Sequence, residues 1–128
     1  MKYLLDTAVF LWLALQPSKL PQRVRLLCEK EGTLLYLSSI SCWEIAQKYH
    51  RKRLILPEHP SVFIPDARME FNIYALPLEE KEALRMESLP PHHRDPADRL
   101  LICQALERNM PIITNDKLIQ KYDVQTVW

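Results

Sequence analysis

The sequence predicts an α/β domain in which a central, mostly parallel β-sheet is flanked by α-helices. Short apolar segments of strand length alternate along the chain with segments of helical periodicity, and strands that alternate with helices form parallel sheets. The chain has 128 residues, 48% of them hydrophobic, and it contains no repeat or linker. We therefore expect a single domain over residues 1–128.

The N-terminal quarter is predicted to contain a strand and two helices. A buried strand at Lys2–Leu5 is followed by an apolar helix at Thr7–Leu15, which stops before Pro17. Pro21 opens the second helix, because proline is favoured at the first helical position, and Gly32 closes it.

The middle of the chain combines a strand, a long helix and a proline-rich segment. A second apolar strand is predicted at Thr33–Leu37, and Ser38–Ser41 provide candidate caps for a helix that runs to about Lys52. Prolines punctuate Leu54–Pro65, which indicates a loop there and a short helix over about Asp66–Glu70.

The C-terminal half continues the alternation of strands and helices. Pro90 and Pro91 interrupt it once. The predicted elements are a strand at Ile73–Leu76, an amphipathic helix at Leu78–Ser88, a helix from Asp95-Pro96 to about Asn109, a strand at Pro111–Thr114, a short helix at Lys117–Lys121 and a strand at Val124–Val127.

The composition excludes several classes of function. The formal net charge of +1 is too small for a protein that coats long nucleic acids, so any nucleic-acid contact must be local. Gly32 is the only glycine, which excludes the glycine-rich phosphate loops of nucleotide-cofactor enzymes. Cys28, Cys42 and Cys103 lack zinc-ligand spacing, so we expect free, buried thiols in a reducing compartment.

The apolar N-terminus imitates a secretion signal without meeting its requirements. Asp6 interrupts the apolar segment, and Gln16-Pro17-Ser18-Lys19 is not a small-residue cleavage site. The segment is also too short to cross a membrane. We therefore expect a cytoplasmic protein with no membrane partner.

Acidic residues collect at the ends of predicted strands and at the starts of helices. Functional sites of parallel sheets lie at the carboxyl ends of the strands. Asp6 ends the first strand there, and Asp116 follows the strand at 111–114. Glu44 is expected at the same edge, in the opening turn of the helix after the second strand. Asp98 joins them only if its helix begins near that edge, which the sequence does not determine.

Each acid at a helix start could also have a purely structural role, and this alternative stays open at this point. Glu44 could form a capping box with Ser41, or pair with Lys48 one helical turn further on. Asp95, Asp98 and Asp116 could cap helices or interact favourably with the dipoles at helix starts.

A cation would resolve the repulsion among these acids. Several carboxylates in one pocket repel one another, so some would stay protonated unless a cation neutralised them. Asp98 shares a helix face with Leu101 and Ile102, where an uncompensated acid is costly. A carboxylate site without histidine or cysteine ligands suits Mg²⁺, with Mn²⁺ as a substitute. Such ions activate water, so the sequence predicts metal-assisted phosphodiester hydrolysis.

Four segments of the sequence, taken together, match a known pattern. They are Leu4-Leu5-Asp6-Thr7 with Phe10-Leu11-Trp12, Ser38-Ser39-Ile40-Ser41 with Trp43-Glu44-Ile45, His93-Arg94-Asp95-Pro96-Ala97-Asp98-Arg99-Leu100-Leu101, and Pro111-Ile112-Ile113-Thr114-Asn115-Asp116. In this order, over essentially the whole chain, they resemble the VapC (virulence-associated protein C) toxins, a group of PIN-domain proteins.

This resemblance implies a PIN fold and a magnesium-dependent endoribonuclease, the toxin of a type II toxin–antitoxin pair, which inhibits translation by cutting tRNA or ribosomal RNA. It also implies a homodimer and a cognate VapB-type antitoxin that covers the active site. Asp95 corresponds to a further acid of the family, and Thr114 and Asn115 to polar support. Ala97 departs from the pattern, since many relatives have a large aromatic residue there. The family's acidic quartet corresponds to Asp6, Glu44, Asp98 and Asp116.

Several basic and aromatic residues are candidates for contact with RNA or a partner. Lys48, Arg51, Lys52 and Arg53 lie at the end of the helix after the second strand, so a favourable interaction with the helix dipole is the alternative to contact with RNA. His92 and His93 are expected as solvated loop residues, and Trp12 and Trp43 as core residues or part of an antitoxin surface. The basic candidates are Lys48, Arg51, Lys52, Arg53, Arg94 and Arg99.

Three other functions remain open. A PIN-like protein could bind RNA or a partner without cutting, although a binding module has no reason to gather unpaired carboxylates. A phosphatase of small substrates often has an Asp-x-Asp motif, which Asp6-Thr7-Ala8 lacks. Cleavage of DNA by the same site cannot be separated from cleavage of RNA by sequence.

Overall fold

The computed structural model describes all 128 residues and contains one five-stranded sheet. Its strands are β1 (Lys2–Leu5), β2 (Leu34–Ser38), β3 (Ile73–Leu76), β4 (Ile112–Ile113) and β5 (Thr126–Val127). The strand order is β3-β2-β1-β4-β5, and every neighbouring pair is parallel. The predicted α/β class with a parallel sheet is confirmed.

Six α-helices connect and flank the strands. Short 3-10 helices at Pro17–Lys19, Arg85–Ser88 and Ile119–Lys121 complete the connections. None of the helices combines the length and the apolar character needed to cross a bilayer. The α-helices are α1 (Thr7–Leu15), α2 (Gln22–Glu29), α3 (Ser39–His50), α4 (Pro60–Phe71), α5 (Glu80–Leu84) and α6 (Pro96–Arg108).

The sheet separates two hydrophobic clusters, and the central strand β1 contributes to both. Successive side chains of a strand point to opposite faces. Leu5 therefore packs in one cluster with Phe10 of α1 and Phe63 of α4, while Leu4 packs in the other with Leu101 of α6. Burial on both faces explains the uninterrupted apolar sequence of β1, and it places the carboxyl end of β1 in the middle of the sheet edge.

Helix α4 begins earlier than expected, since Pro60 opens it and Pro65 lies inside it. The loop predicted for Leu54–Pro65 is therefore wrong over its second half. Proline is tolerated in the first helical turn, whereas in the interior it removes a backbone hydrogen bond. Burial of Phe63 and Ile64 against the sheet offsets that loss, because each large apolar side chain contributes about 1.5–3 kcal/mol.

The remaining differences concern lengths and helix type. The helix predicted at Leu78–Ser88 is divided between α5 and a 3-10 helix, and the one predicted at Lys117–Lys121 is a turn followed by a 3-10 helix. Strands β4 and β5 are shorter than predicted. Helix α2 stops at Glu29, and Gly32 follows in a turn with a φ of 87°, a conformation that favours glycine.

Candidate metal centre

Asp6 lies at the carboxyl end of the central strand, as the sequence predicted. It follows β1 directly and occupies the N-cap position of α1 without a side-chain capping bond. Its carboxylate is buried, and the hydroxyl of Thr114, just beyond β4, donates a hydrogen bond of 2.7 Å to its Oδ2. The same hydroxyl oxygen accepts from the backbone N–H of Asp116 at 3.0 Å. Thr114 therefore joins the two acids that follow neighbouring strands.

Glu44 reaches this edge from the second turn of α3. The helix is capped by Ser38, whose hydroxyl oxygen accepts from the backbone N–H of Ile40 at 3.0 Å. The capping box proposed for Ser41 and Glu44 is therefore wrong, and the expected opening-turn position of Glu44 is one turn too early. The alternative pairing is confirmed, since Nζ of Lys48 lies 3.1 Å from Oε2 of Glu44. The other oxygen, Oε1, is buried and has no hydrogen-bond partner.

Asp98 is placed at the same edge by the start of α6, which the sequence left open. The carboxylate of Asp95 accepts a hydrogen bond of 2.9 Å from the backbone N–H of Ala97, so Asp95 is the N-cap as expected. Asp98 lies in the first turn of the helix. Its pKa is raised to about 8, mainly by burial and then by the charges of the nearby carboxylates, of which Asp6 contributes most.

The pKa of Asp6 is also raised. Burial is the largest cause, the charges of Asp116 and Glu44 add to it, and the hydrogen bond from Thr114 opposes it. We call Asp6, Glu44, Asp98 and Asp116 the acid cluster. Of these four, only Glu44 forms an ion pair with a lysine or arginine.

His93 belongs to the site, although the sequence indicated a solvated loop residue. Its side chain is buried, and its Nε2 lies 3.0 Å from Oδ2 of Asp98 and 3.0 Å from Oδ2 of Asp116. Its Nδ1 accepts a hydrogen bond of 3.1 Å from the backbone N–H of Asp95. Because Nδ1 accepts, the ring proton lies on Nε2, which donates to Oδ2 of Asp116 and has Oδ2 of Asp98 at the same distance. The expectation for His92 is confirmed, since that side chain is exposed.

Arg99 and Tyr122 hold the loop that carries His93. Arg99 donates from Nη1 to the backbone oxygens of Pro90 and His93, at 2.9 and 3.2 Å, and from Nη2 to that of Leu89, at 3.1 Å. The hydroxyl of Tyr122 donates to the oxygen of Pro90 at 2.6 Å and accepts from the backbone N–H of His93 at 2.8 Å. The guanidinium of Arg99 thus supports the loop, and its contact with RNA stays a prediction.

The other candidates are distributed around the acid cluster. Both oxygens of Asp116 are used, because Oδ1 accepts from the backbone N–H of Leu118 at 2.8 Å while Oδ2 faces His93. The expected capping role of Asp116 is thus present beside its position in the site. The side chains of Asn115 and Arg94 are exposed, as are the helix-end basic residues Lys48, Arg51, Lys52 and Arg53.

The two tryptophans that were candidates for an antitoxin surface differ. Trp12 is half-buried and packs against Trp128, with the ring centroids 5.9 Å apart, which agrees with the core-packing alternative. Trp43 is 56% exposed, so the core-packing alternative is wrong for this residue.

The acid cluster fits a divalent cation on two observations. The ligand atoms of His93, Asp98 and Asp116 all lie within 4.8 Å of one another. The buried Oε1 of Glu44 has no hydrogen-bond partner, and such groups are costly unless something compensates them. Oxygen donors at this density suit Mg²⁺ or Mn²⁺. His93 adds a ring N–H that contacts the carboxylates of this set, and with its Nε2 protonated it is not itself a ligand.

Solved structures share this fold over nearly their whole length. VapBC2 from Rickettsia felis, bound to a DNA fragment from its promoter, has a TM-score of 0.73 at 15% identity, with 99% of this chain and 98% of that chain covered. VapBC-1 from nontypeable Haemophilus influenzae has a TM-score of 0.65 at 21% identity, with coverage of 99% and 97%. FitAcB from Neisseria gonorrhoeae has a TM-score of 0.62 at 21% identity, with coverage of 98% and 96%.

A match between the sequence and a family model identifies the family of this chain. No curated protein matches the chain significantly, but the PIN domain family matches residues 3–125. PIN domains are generally metal-dependent nucleases, which agrees with the acids gathered at the sheet edge. The chain therefore belongs to the PIN-domain family.

Proposed function

We propose that the chain is a magnesium-dependent endoribonuclease and the toxin of a type II toxin–antitoxin pair. The observation that carries this proposal is the acid cluster. Four carboxylates from four separate segments lie close enough at one edge of the sheet to raise one another's pKa values, and a single lysine is their only lysine or arginine partner. A fold that needed these acids for stability would neutralise each of them, because buried charges are normally paired.

Asp6 and Asp98 would hold the principal ion, and Glu44 and Asp116 would bind it directly, through water, or bind a second ion. A divalent ion held there would activate water for attack on phosphorus and stabilise the charge that develops on the phosphodiester. The protein's own contribution is orientation. The hydroxyl of Thr114 donates to Oδ2 of Asp6, and Nε2 of His93 donates to Oδ2 of Asp116 and lies 3.0 Å from Oδ2 of Asp98.

His93 would act as a positioning residue. Its ring is fixed at Nδ1 by the Asp95 backbone and stands between two carboxylates that would otherwise repel each other. Partners of this kind orient metal ligands, and their loss typically weakens metal binding about 10- to 100-fold. Asp95 would be an N-cap whose charge adds to the negative potential at Asp98.

The toxin part of the proposal has different support. The chain matches toxin–antitoxin structures from three bacteria over nearly their full length, and its sequence segments resemble VapC toxins. We extend the proposal to a cognate VapB-type antitoxin and to a homodimer. Large exposed apolar side chains are available for such partners, among them Leu15, Ile55, Val62 and Met69.

The function is tested by digesting total RNA with purified protein in Mg²⁺, beside Asp6→Asn. We expect the wild type to leave 5′-phosphate and 3′-hydroxyl ends and to stop cutting in EDTA, whereas Asp6→Asn should be inactive. Asp66→Asn is the matched control, because Asp66 is an exposed residue on α4. Cyclic phosphate ends or full activity in EDTA would contradict the proposal.

Two further arms of this experiment separate the alternatives. Single-stranded DNA of the same sequence tests a DNA nuclease, which would cut it at least as fast as RNA. Binding of RNA without any cleavage in Mg²⁺ or Mn²⁺ would support a non-cutting binding protein. Purification together with a small antitoxin encoded next to the gene tests the partner.

A further inference from the structure

A cleft of about 340 Å³ adjoins the acid cluster on the side of α3. Glu44 of the acid cluster and the N-cap residue Asp95 both contribute to its lining. Lys48, Arg51 and Arg53 contribute three basic side chains. The cleft thus places positive charge directly beside the proposed metal site.

Trp43 gives this cleft an aromatic surface. It lines the cleft and is 56% exposed, although an indole left in water gives up the stabilisation that burial would provide. On α3, Trp43 and Gln47 lie four residues apart, and Arg51 follows at the same interval at the C-cap, which places the three along one helix face. The exposed ring and the arginine therefore belong to the same surface.

The arginines of the cleft are available to a ligand. Neither Arg51 nor Arg53 forms an ion pair, and both are exposed. Interaction with the helix dipole explains Arg51 at the C-cap of α3. It does not explain Arg53, which lies beyond the helix. Guanidinium groups bind phosphate oxygens through two parallel hydrogen bonds, which suits them to a nucleic-acid backbone.

Ala97 keeps the cleft open. It is buried at the start of α6 and lines the cleft with only a methyl group. This is the position at which the sequence departs from the VapC pattern of a large aromatic residue. A phenylalanine side chain here would extend toward the space between α3 and α6 and reduce the volume of the cleft.

We propose that the cleft is a nucleotide subsite that binds an unpaired base of the RNA next to the scissile phosphate. The base stacks on the indole of Trp43, and Arg51 and Arg53 bind the flanking phosphates. An aromatic platform beside free cations is the usual arrangement for binding single strands, because every base has a flat face and every nucleotide a phosphate. A duplex cannot use this subsite, since its bases are already stacked. The inference rests on the proposed ribonuclease function and assigns Trp43, Arg51 and Arg53 to the nucleotide beside the cut.

The test measures binding separately from cleavage. In an Asp6→Asn background, Kd is measured by fluorescence anisotropy for a labelled single-stranded RNA and for the corresponding duplex. We expect Trp43→Ala to weaken binding of the single strand about 5- to 150-fold, the usual effect of losing one base–aromatic stack. Binding of the duplex should change little, and Trp43→Phe should restore most of the affinity. Tyr74→Ala removes an aromatic side chain of similar exposure, 53%, from β3, outside the cleft, and should have no effect.

Two more measurements distinguish stacking from a loss of fold. Binding of the single strand should quench tryptophan fluorescence in the parent protein and not in Trp43→Phe, since Trp12 and Trp128 pack against each other. Ala97→Phe should weaken binding of the single strand while the melting temperature shows that the protein is folded. Removing Arg51 or Arg53 should weaken binding and flatten its dependence on salt.

The results of these experiments can overturn the proposed subsite without overturning the proposed ribonuclease function, and the reverse. If the wild type cuts RNA in Mg²⁺ but Trp43→Ala binds single strands as tightly as the parent, the subsite is wrong and the function stands. An equal loss for single strand and duplex would also overturn the subsite. If no RNA is cut but the selective Trp43 effect persists, the cleavage function is wrong and the subsite stands.

Discussion

Two regions of the molecule bury carboxylates, and they neutralise them differently. Where α5 packs against α6, Glu82 is fully buried, but Nε of Arg108 lies 2.6 Å from its Oε2 and the backbone N–H of Glu79 donates to its Oε1 at 2.8 Å. In the acid cluster, by contrast, Asp98 has carboxylates and the imidazole of His93 around it, and no lysine or arginine. Burial and those carboxylates raise its pKa to about 8.

Glu82 is a buried acid whose charge the fold neutralises, whereas the acids of the cluster are left largely without cationic partners. At Glu82 the chain supplies both a cation and a backbone donor, so the site is complete by itself. At the acid cluster the chain supplies orienting hydrogen bonds but almost no positive charge. The chain's own lysines and arginines therefore leave the cluster largely unbalanced, as the proposed metal site requires.

The largest effect should come from removing one acid of the cluster. We expect Asp98→Asn to lower the rate of RNA cleavage at least about 100-fold, since electrostatic contacts to a reacting centre contribute that much or more. Its free energy of unfolding without metal should not fall, because the amide replaces a carboxyl group whose charged form is disfavoured by burial and by the neighbouring acids. Initial rates and urea unfolding curves measure the two effects. A large loss of stability would place Asp98 with Glu82 as a structural acid.

The opposite pattern is expected at the structural pair. Arg108→Ala leaves Glu82 buried without its cation, and breaking a pair of this kind costs about 3 kcal/mol. Chemical denaturation should show this loss, while the cleavage rate per folded molecule stays unchanged. Arg25→Ala, at an exposed residue of α2, is the control. A loss of activity at full stability would remove the distinction between the two regions.

Replacing His93 tests whether the orientation of the carboxylates, apart from their charge, contributes to metal affinity. We expect His93→Ala to weaken binding of Mn²⁺ about 10- to 100-fold, because Asp98 and Asp116 lose the donor that holds them. Calorimetric titration of the folded protein gives this value directly. His92→Ala changes the exposed neighbouring ring and should leave the affinity as it is. Equal effects of the two substitutions would exclude a positioning role for His93.

The last prediction concerns the dependence of stability on pH. The folded-state pKa of Asp98, about 8, lies above its ordinary value of 3.8, so the native state holds a proton that the unfolded chain releases. The associated stability is complete below pH 3.8 and is lost as the pH rises through about 8. In EDTA we expect the melting temperature to fall over this window by about 3–6 °C for each kcal/mol lost.

Two controls isolate the contribution of Asp98. The fall should be smaller in Asp98→Asn, and Mg²⁺ should raise the melting temperature most at the upper end of the window, where the acids are ionised. Identical pH profiles of the wild type and Asp98→Asn would show that the carboxylate is neutralised within the fold.

The sequence predicted those parts of the site that depend on strand ends. Asp6 and Asp116 follow neighbouring parallel strands, so their meeting requires only the topology. The position of Asp98 depends instead on the loop before α6. Arg99 and Tyr122 hold that loop through contacts with residues up to 32 positions away in the chain, and periodicity does not reveal such contacts.

Sequence periodicity also fails to reveal the contacts that bury His93, which explains why this residue was placed wrongly. The loop that buries His93 is proline-rich, which is typical of exposed segments. A local signal was present nonetheless, because His93 precedes the helix cap Asp95 by two residues and its Nδ1 accepts the backbone N–H of that residue. The first half of helix α4 was predicted as a loop because its prolines outweighed the helical spacing of Phe63, Ile64 and Ala67.

The hydrogen bond from Thr114 to Asp6 joins residues 108 positions apart, and this has a consequence during synthesis. A ribosome makes Asp6 almost at once, but the strand that completes the pocket is among the last elements translated. A chain released early, or still emerging from the ribosome, therefore lacks Thr114 and Asp116 and has only part of the acid cluster. Under the proposed function, the activity arises only after the whole polypeptide has folded.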